Sequence, residues 1–257
     1  MRSLIGRIYR TLRLVPLAAV GTITSVSTSN PVVALTFDDG PDPVFTPRLL
    51  DILKKHRTKA TFFMVGKAAE RHPDIVREVA VAGHAIGNHS WDHPSFPMIT
   101  GRERRSQIRA CEKAIAPYGV KLFRPPYGDQ SLWSRLEASW LGYQVIMYSV
   151  TAVDWLDHDA DWMKNRIMNR IANGSIILFH DSLFEYRESR YADRGPMLDA
   201  LDIILKELGD RYAFVTIPEL MSQGRPQMTY WIKTTDINIL NERSGPYGEP
   251  RRYAKVQ

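Results

Sequence analysis

Short apolar runs alternate with amphipathic helical stretches from residue 32 to residue 216. Val32 to Phe37 is almost continuously apolar, as a strand covered on both faces must be. Thr46 and Pro47 read as N-cap and first helical residue ahead of the stripe Leu49, Leu50, Ile52 and Leu53. Lys59 to Val65 returns as a strand, Pro73 to Ala82 as a helix closed by Gly83, His84 to Gly87 as a short strand and Gly101 to Pro117 as a helix. Leu122 and Phe123, a short fourth strand, enter the turn Arg124 to Gly128, beyond which come a helix at Ser131 to Leu141, a strand at Gln144 to Val150 and a helix at Asp159 to Ala172. Ser175 to Phe179, Pro196 to Leu208 and Ala213 to Thr216 complete the series as strand, helix and strand. Such alternation specifies an α/β protein with a parallel sheet and right-handed crossovers, and this many repeats predict closure into a (β/α) barrel instead of an open doubly wound sheet. The sequence carries no internal repeat and no dinucleotide-binding fingerprint.

Composition matters mainly for the two ends. The net charge is +6, but residues 31 to 222 hold 24 basic and 25 acidic groups, so the excess lies in the tails. A neutral body without basic residues interleaved with aromatics argues against a nucleic-acid partner. No apolar run approaches the roughly 20 residues of a transmembrane helix. Arg2, Arg7, Arg10 and Arg13 ahead of Leu14 to Val20 superficially match a secretory signal, but Pro16 interrupts the run and no clean small-residue cleavage site follows. The expectation is therefore a basic lead-in at 1–21, then one domain at 22–222. That domain begins with a hairpin of Thr22 to Val26 and Val32 to Phe37 joined by the turn Thr28 to Pro31. Residues 223–257, with Pro226, Gly245, Pro246, Gly248 and Pro250, read as an extension with little regular structure. Cys111 is the only cysteine, which excludes an internal disulfide and a thiolate zinc cluster, and leaves the compartment and the oligomeric state open. Its apolar helical neighbours suggest a buried small hydrophobe.

Almost every predicted strand ends in functional residue types. Asp38 and Asp39 follow the first, His89 and His93 the third, Arg124 and Tyr127 the fourth, Asp154 and Trp155 the fifth, and His180 and Asp181 the sixth. In a barrel those ends share one rim, where catalytic centres are assembled from distant positions. The four-residue spacing of His89 and His93 places two imidazoles on one side of a helical turn, and Asp39 adds an oxygen ligand of a kind zinc accepts. Three protein ligands leave positions for a water and a substrate carbonyl, the catalytic form of such a site. Hydrolysis also needs a base and an acid on opposite sides of the reacting carbon. Asp38, beside a ligand and near Arg124, can be the base, and His180 the acid. Taken singly, each residue has an ordinary explanation: a solvated turn for the Asp pair, a surface ion pair for Arg124, a half-buried strand-end histidine for His180.

Together, however, Thr36-Phe37-Asp38-Asp39-Gly40-Pro41, His89-Ser90-Trp91-Asp92-His93, Arg124-Pro125-Pro126-Tyr127-Gly128, Asp154-Trp155 and Ile177-Leu178-Phe179-His180-Asp181 resemble, in order, the polysaccharide deacetylases that share the NodB homology domain, carbohydrate esterase family 4. The resemblance spans about residues 22 to 220. It implies a distorted (β/α) barrel, Asp38 as base, and Asp39, His89 and His93 as metal ligands. Arg124 would orient Asp38 and the Tyr127 backbone N–H would complete an oxyanion hole. Trp155 and Leu178 would wall the acetyl methyl pocket, and His180 would protonate the leaving amine. The implied activity is removal of N-acetyl groups from N-acetylglucosamine-containing glycans such as chitooligosaccharides. An O-acetyl xylan esterase, a small-amide hydrolase and a non-catalytic glycan-binding protein remain as alternatives. Zinc suits the ligand set, and cobalt or nickel fits the same groups. One position departs from the pattern: Thr151 stands where many relatives carry an acid, so the group that orients or tunes His180 or Arg124 from there is missing, Asp154, counted among the catalytic residues, and Asp181 are available in its place, and altered pH dependence is expected more readily than lost activity.

Overall fold

The structure is a computed structural model that describes residues 21–243 and residue 253. The lead-in expected at 1–21 lies, apart from Gly21, outside the described residues. The first element, β1 (Thr22–Ser27), is followed by the wholly buried β2 (Val32–Asp38), α1 (Phe45–Lys55) and β3 (Ala60–Met64). The chain continues through α2 (Gly66–Arg71), α3 (Pro73–Val81), β4 (Ala85–Asn88), α4 (Gly101–Ala114), β5 (Gly119–Phe123), α5 (Leu132–Trp140) and β6 (Gln144–Val145). Then come β7 (Val150–Thr151), α6 (Ala160–Met168), β8 (Ile176–His180), α7 (Gly195–Leu208), β9 (Ala213–Val215), α8 (Ile217–Ser222), β10 (Arg225–Thr229) and α9 (Ile237–Asn241).

Seven strands pair in the order β6, β5, β4, β3, β2, β8, β7, with β9 against the first residues of β2, and every pairing is parallel. The sheet curls into the distorted (β/α) barrel expected, with helices packed outside. Its largest apolar cluster joins Leu35 and Phe37 of β2 and Phe62 of β3 to Leu49 and Leu53 of α1 and Leu201 and Ile204 of α7. Helix α4 starts at Thr100, whose hydroxyl accepts from Glu103 N–H while the Glu103 carboxylate accepts from Thr100 N–H, a reciprocal cap.

Hydrogen bonds do not close the sheet between β6 and β7. Strand β1 spans that gap: Met147 N–H donates to Ile23 O at 2.7 Å and Val26 N–H to Gly174 O at 2.9 Å. The expected hairpin of β1 with β2 is therefore corrected. Strand β2 has β3 and β8 on its two edges and β9 at its start, so no edge is left for β1. The antiparallel partner of β1 is instead β10, from the extension expected to have little regular structure. Alternate residues of β10 are half-buried, and Met228 packs on the cluster around Ile23 and Val26, which is what makes this segment a strand.

Three local expectations also change. Helix α1 begins at Phe45 with no side-chain cap; the Asp42 carboxylate accepts the N–H groups of Val44 and Phe45, and the Thr46 hydroxyl instead serves Asp42 N–H and Asp181. Residues 144–150 are not one strand, because the chain leaves β5 and crosses to β8, and its carbonyls at Ile146 and Met147 accept from Arg124. His89 to His93 is a loop and not a helical turn: Ser90 and His93 have φ of 67° and 60°.

Candidate metal and acid–base site

The loops that follow the C-terminal ends of β2, β4, β5, β7 and β8 meet in one cavity of about 540 Å³. Nine of the ten residues singled out from the sequence line it: Asp38, Asp39, His89, His93, Arg124, Tyr127, Trp155, Leu178 and His180. The tenth, Asp154, is buried behind His180. Asp39, His93, Tyr127 and Val153 all adopt left-handed backbone conformations, with φ between 58° and 76°. For side chains other than glycine each such residue costs about 1 kcal/mol or more, and four of them around one rim mark a geometry held by its surroundings.

Asp39 Oδ1 lies 3.3 Å from His89 Nε2 and 3.1 Å from His93 Nε2. Two ligands about 2.1 Å from one tetrahedral ion stand roughly 3.4 Å apart, so these atoms are spaced as a metal requires. Asp39 Oδ1 is buried and has no hydrogen-bond partner, which is costly unless a cation completes it. Among the described residues this trio is the one group of three or more His, Cys, Asp or Glu side chains able to hold an ion. Each of the three side chains is aimed from behind. His89 Nδ1 donates to Arg124 O at 2.7 Å, which leaves Nε2 with its lone pair free to coordinate. Asp39 Oδ2 accepts from Phe184 N–H, and the His93 ring packs edge-on against Tyr127 at 4.5 Å. Although burial alone would raise it, His93 and His89 hold the Asp39 carboxyl well below the usual carboxylate range.

Beside the trio, Asp38 Oδ1 accepts from Arg124 Nη1 at 2.7 Å while Oδ2 stands 3.8 Å from His89 Nε2. The Arg124 guanidinium is 1% exposed and also donates to Thr36 Oγ1, Ile146 O and Met147 O, with Phe63 stacked 4.2 Å away. Across the cavity, His180 is bonded to Asp154, and Trp155 packs edge-on against its ring at 5.4 Å. Burial works against the imidazolium, but Asp154, Asp39 and Asp38 raise His180 to about 9. These carboxylates favour the protonated imidazole.

These contacts answer the question raised by Thr151. Its hydroxyl accepts from Val153 N–H, and the support expected from that position comes instead from Asp154 on His180 and from Thr36 and two carbonyls on Arg124. Arg194, missed in the sequence, donates from Nη1 to the Asp154 backbone carbonyl at 2.7 Å, and the same nitrogen stands 3.7 Å from the Asp154 carboxylate. Asp181 does not face the cavity lining. Its carboxyl takes the Thr46 hydroxyl at 2.5 Å, burial raises it to about 7, and a Cβ at Gly40 would sit 2.2 Å from it. Glu185, which accepts from Tyr127 Oη, and Lys233, Asp236 and Arg243 of the extension also line the cavity. No spacing pattern marks them, since they reach the rim from segments without periodic signal. Cys111 is buried as expected, with its thiol donated to Met64 O and pushed up by burial to about 12.

Fold and site define a curled parallel β/α protein with a three-ligand centre able to hold a metal ion, flanked by an Asp–Arg and a His–Asp pair. The family description that matches, polysaccharide deacetylase, covers residues 25–146. A peptidoglycan-N-acetylglucosamine deacetylase of Bacillus cereus is 39% identical over 201 residues, 75% of this chain and 69% of that protein. A peptidoglycan-N-acetylmuramic acid deacetylase of Bacillus subtilis is 35% identical over 76% of this chain, which spans only 40% of that longer protein. A crystal structure of a peptidoglycan N-acetylglucosamine deacetylase superposes with a TM-score of 0.72 at 36% identity, over 79% of this chain and 94% of the other. The chain belongs to the polysaccharide deacetylase family, carbohydrate esterase family 4. Among the described residues no helix is long and apolar enough to cross a membrane.

Proposed function

We propose that this protein removes N-acetyl groups from N-acetylglucosamine-containing glycans and releases acetate, with zinc held by Asp39, His89 and His93. The reading rests above all on one arrangement: a carboxylate, Asp38, and a protonated imidazole, His180, flank the three-ligand centre in the same cavity. The bound ion supplies a Lewis acid that polarises the acetyl carbonyl and lowers the pKa of a water towards roughly 7. Asp38 takes the proton of the attacking water, and Arg124 fixes which oxygen faces it, because Oδ1 is committed to the guanidinium. The Tyr127 N–H donates to the oxygen on which charge develops; one such donor is worth about 3 kcal/mol in comparable sites. Trp155 and Leu178 pack on the acetyl methyl and exclude bulkier acyl groups. His180 then gives its Nε2 proton to the departing amine while Asp154 holds Nδ1.

Acetate release should be measured on chitooligosaccharides, peptidoglycan fragments and acetylated xylan, with and without a chelator. Chelator-sensitive release from an N-acetylated glycan is the expected result. Release from xylan alone would replace the amide by an ester as substrate, and release unaffected by chelator would overturn the metal mechanism.

A further inference from the structure

Asp154 commits both carboxylate oxygens to His180, Oδ1 to the ring Nδ1 at 2.9 Å and Oδ2 to the backbone N–H at 2.7 Å. The loop between β7 and α6 that carries Asp154 is left-handed at the preceding residue, Val153, with φ of 58°. A non-glycine residue keeps such a conformation only where its surroundings hold it. Arg194 grips the chain at that point. Its Nη1 donates to the Asp154 backbone carbonyl at 2.7 Å and stands 3.7 Å from Asp154 Oδ2, the oxygen that accepts the His180 N–H.

The guanidinium is aimed from a rigid base. Arg194 immediately precedes α7, where its carbonyl accepts the Leu198 N–H at 3.0 Å, and its Nη2 donates to Tyr191 O in the loop after β8. Helix α7 is fixed by Leu198, Leu201 and Ile204, which belong to the largest apolar cluster. Arg194 and Asp154 are each 3% exposed, so both charges act out of water.

The order of charge along this line is guanidinium, carboxylate, imidazolium. When His180 gives its Nε2 proton to the departing amine, the imidazole is left neutral with its Nδ1–H still on Asp154, and no proton moves to the carboxylate. A buried carboxylate is costly without a cation beside it, and after the transfer Arg194 is the cation that stays. Burial works against the Arg194 charge, and of the carboxylates that favour it Asp154 acts most strongly.

We propose that Arg194 is a positioning residue of the acid arm: it fixes Asp154, and through Asp154 the His180 ring, and keeps the carboxylate ionised while His180 transfers its proton. This inference rests on the deacetylase reading above, with His180 as the acid.

The test compares an amide, chitotetraose, with an aryl ester, 4-nitrophenyl acetate, whose phenolate departs without a proton. Arg194→Gln should lower kcat on chitotetraose by roughly 10- to 100-fold with KM little changed, and kcat on the ester by less than about threefold. Arg194→Lys, which keeps the charge, should recover much of the loss. The ratio of the two rates does not depend on how much of a variant is folded, so a merely structural role would lower both and leave the ratio. A second readout needs no turnover: the low-field proton NMR signal of His180 Nδ1–H should move upfield or broaden in Arg194→Gln and return in Arg194→Lys. An unchanged amide-to-ester ratio, or a signal that stays in place, overturns the positioning role. Absence of acetate from every N-acetylated glycan given to the wild type, with the signal moving as expected, overturns the deacetylase reading instead.

Discussion

Asp154 holds His180 twice: one carboxylate oxygen is 2.9 Å from the ring Nδ1 and the other accepts the backbone N–H of the same residue at 2.7 Å. The ring is thereby fixed in tautomer and orientation, and its proton is made hard to lose. Activity that depends on His180 as acid falls as pH rises through the imidazolium pKa, which Asp154, Asp39 and Asp38 raise to about 9 and a cation at the centre lowers. Asp154→Asn removes the negative charge that raises this value. Its pH profile of kcat should show the alkaline limb displaced to lower pH; a limb that stays in place would assign the titration to another group.

Arg124 is enclosed and satisfied by four acceptors. A lysine carries the charge but not the planar fork, so it cannot reach Asp38, Thr36 and both carbonyls together. Arg124→Lys should lower kcat by roughly 10- to 100-fold, since the base loses its orientation, and lower Tm as well. Asp38→Asn should cost about 10²- to 10⁴-fold with zinc still bound. In the double variant the losses should not add, because both act through one carboxylate. Additive losses measured by kinetics would separate the two roles.

Ion binding to Asp39, His89 and His93 satisfies a buried oxygen that otherwise lacks a partner. Ligand that binds only the folded state at 100 times its Kd stabilises by about 2.7 kcal/mol, so Tm should rise by roughly 5 to 10 °C on adding zinc. His93→Ala should abolish the rise. Metal analysis and differential scanning fluorimetry check both statements.

His84 lies outside the site. Its Nδ1 accepts the Ala60 N–H at 3.1 Å, and burial together with Lys59 lowers its pKa to about 4. The unfolded chain, with a value near 6.5, binds the proton more tightly than the folded one. The stabilising contribution is therefore complete above pH 6.5 and lost as pH falls towards 4, up to about 3 kcal/mol from this group. His84→Asn should flatten Tm against pH across that window.

How legible the site was differs by residue. Asp38, Asp39, His89 and His93 announced themselves because strand ends at one rim are a consequence of parallel β/α order, which the alternation of apolar runs already carried. The left-handed turns at Asp39 and His93 did not, since they depend on what surrounds the loops: Gln107 of α4 accepts the N–H groups of Trp91 and Asp92, and Phe184 N–H fixes Asp39. Arg194 and Glu185 carried no signal of their own, because a charged residue in an irregular segment acquires a role only from the partner the fold brings to it.

By itself the sequence determined the parallel β/α order, the family and which three side chains, Asp39, His89 and His93, come together as a group able to hold a metal ion, all of which follow from local periodicity and short motifs. Tertiary structure decided where β1 went and what residues 225–243 do. Pairing across about 200 residues is set by which sheet edge is still open after the central strands have paired, and β2 had none. Beyond β10 the chain pairs Lys233 with Gln130 and brings Lys233 and Arg243 to the rim of the cavity.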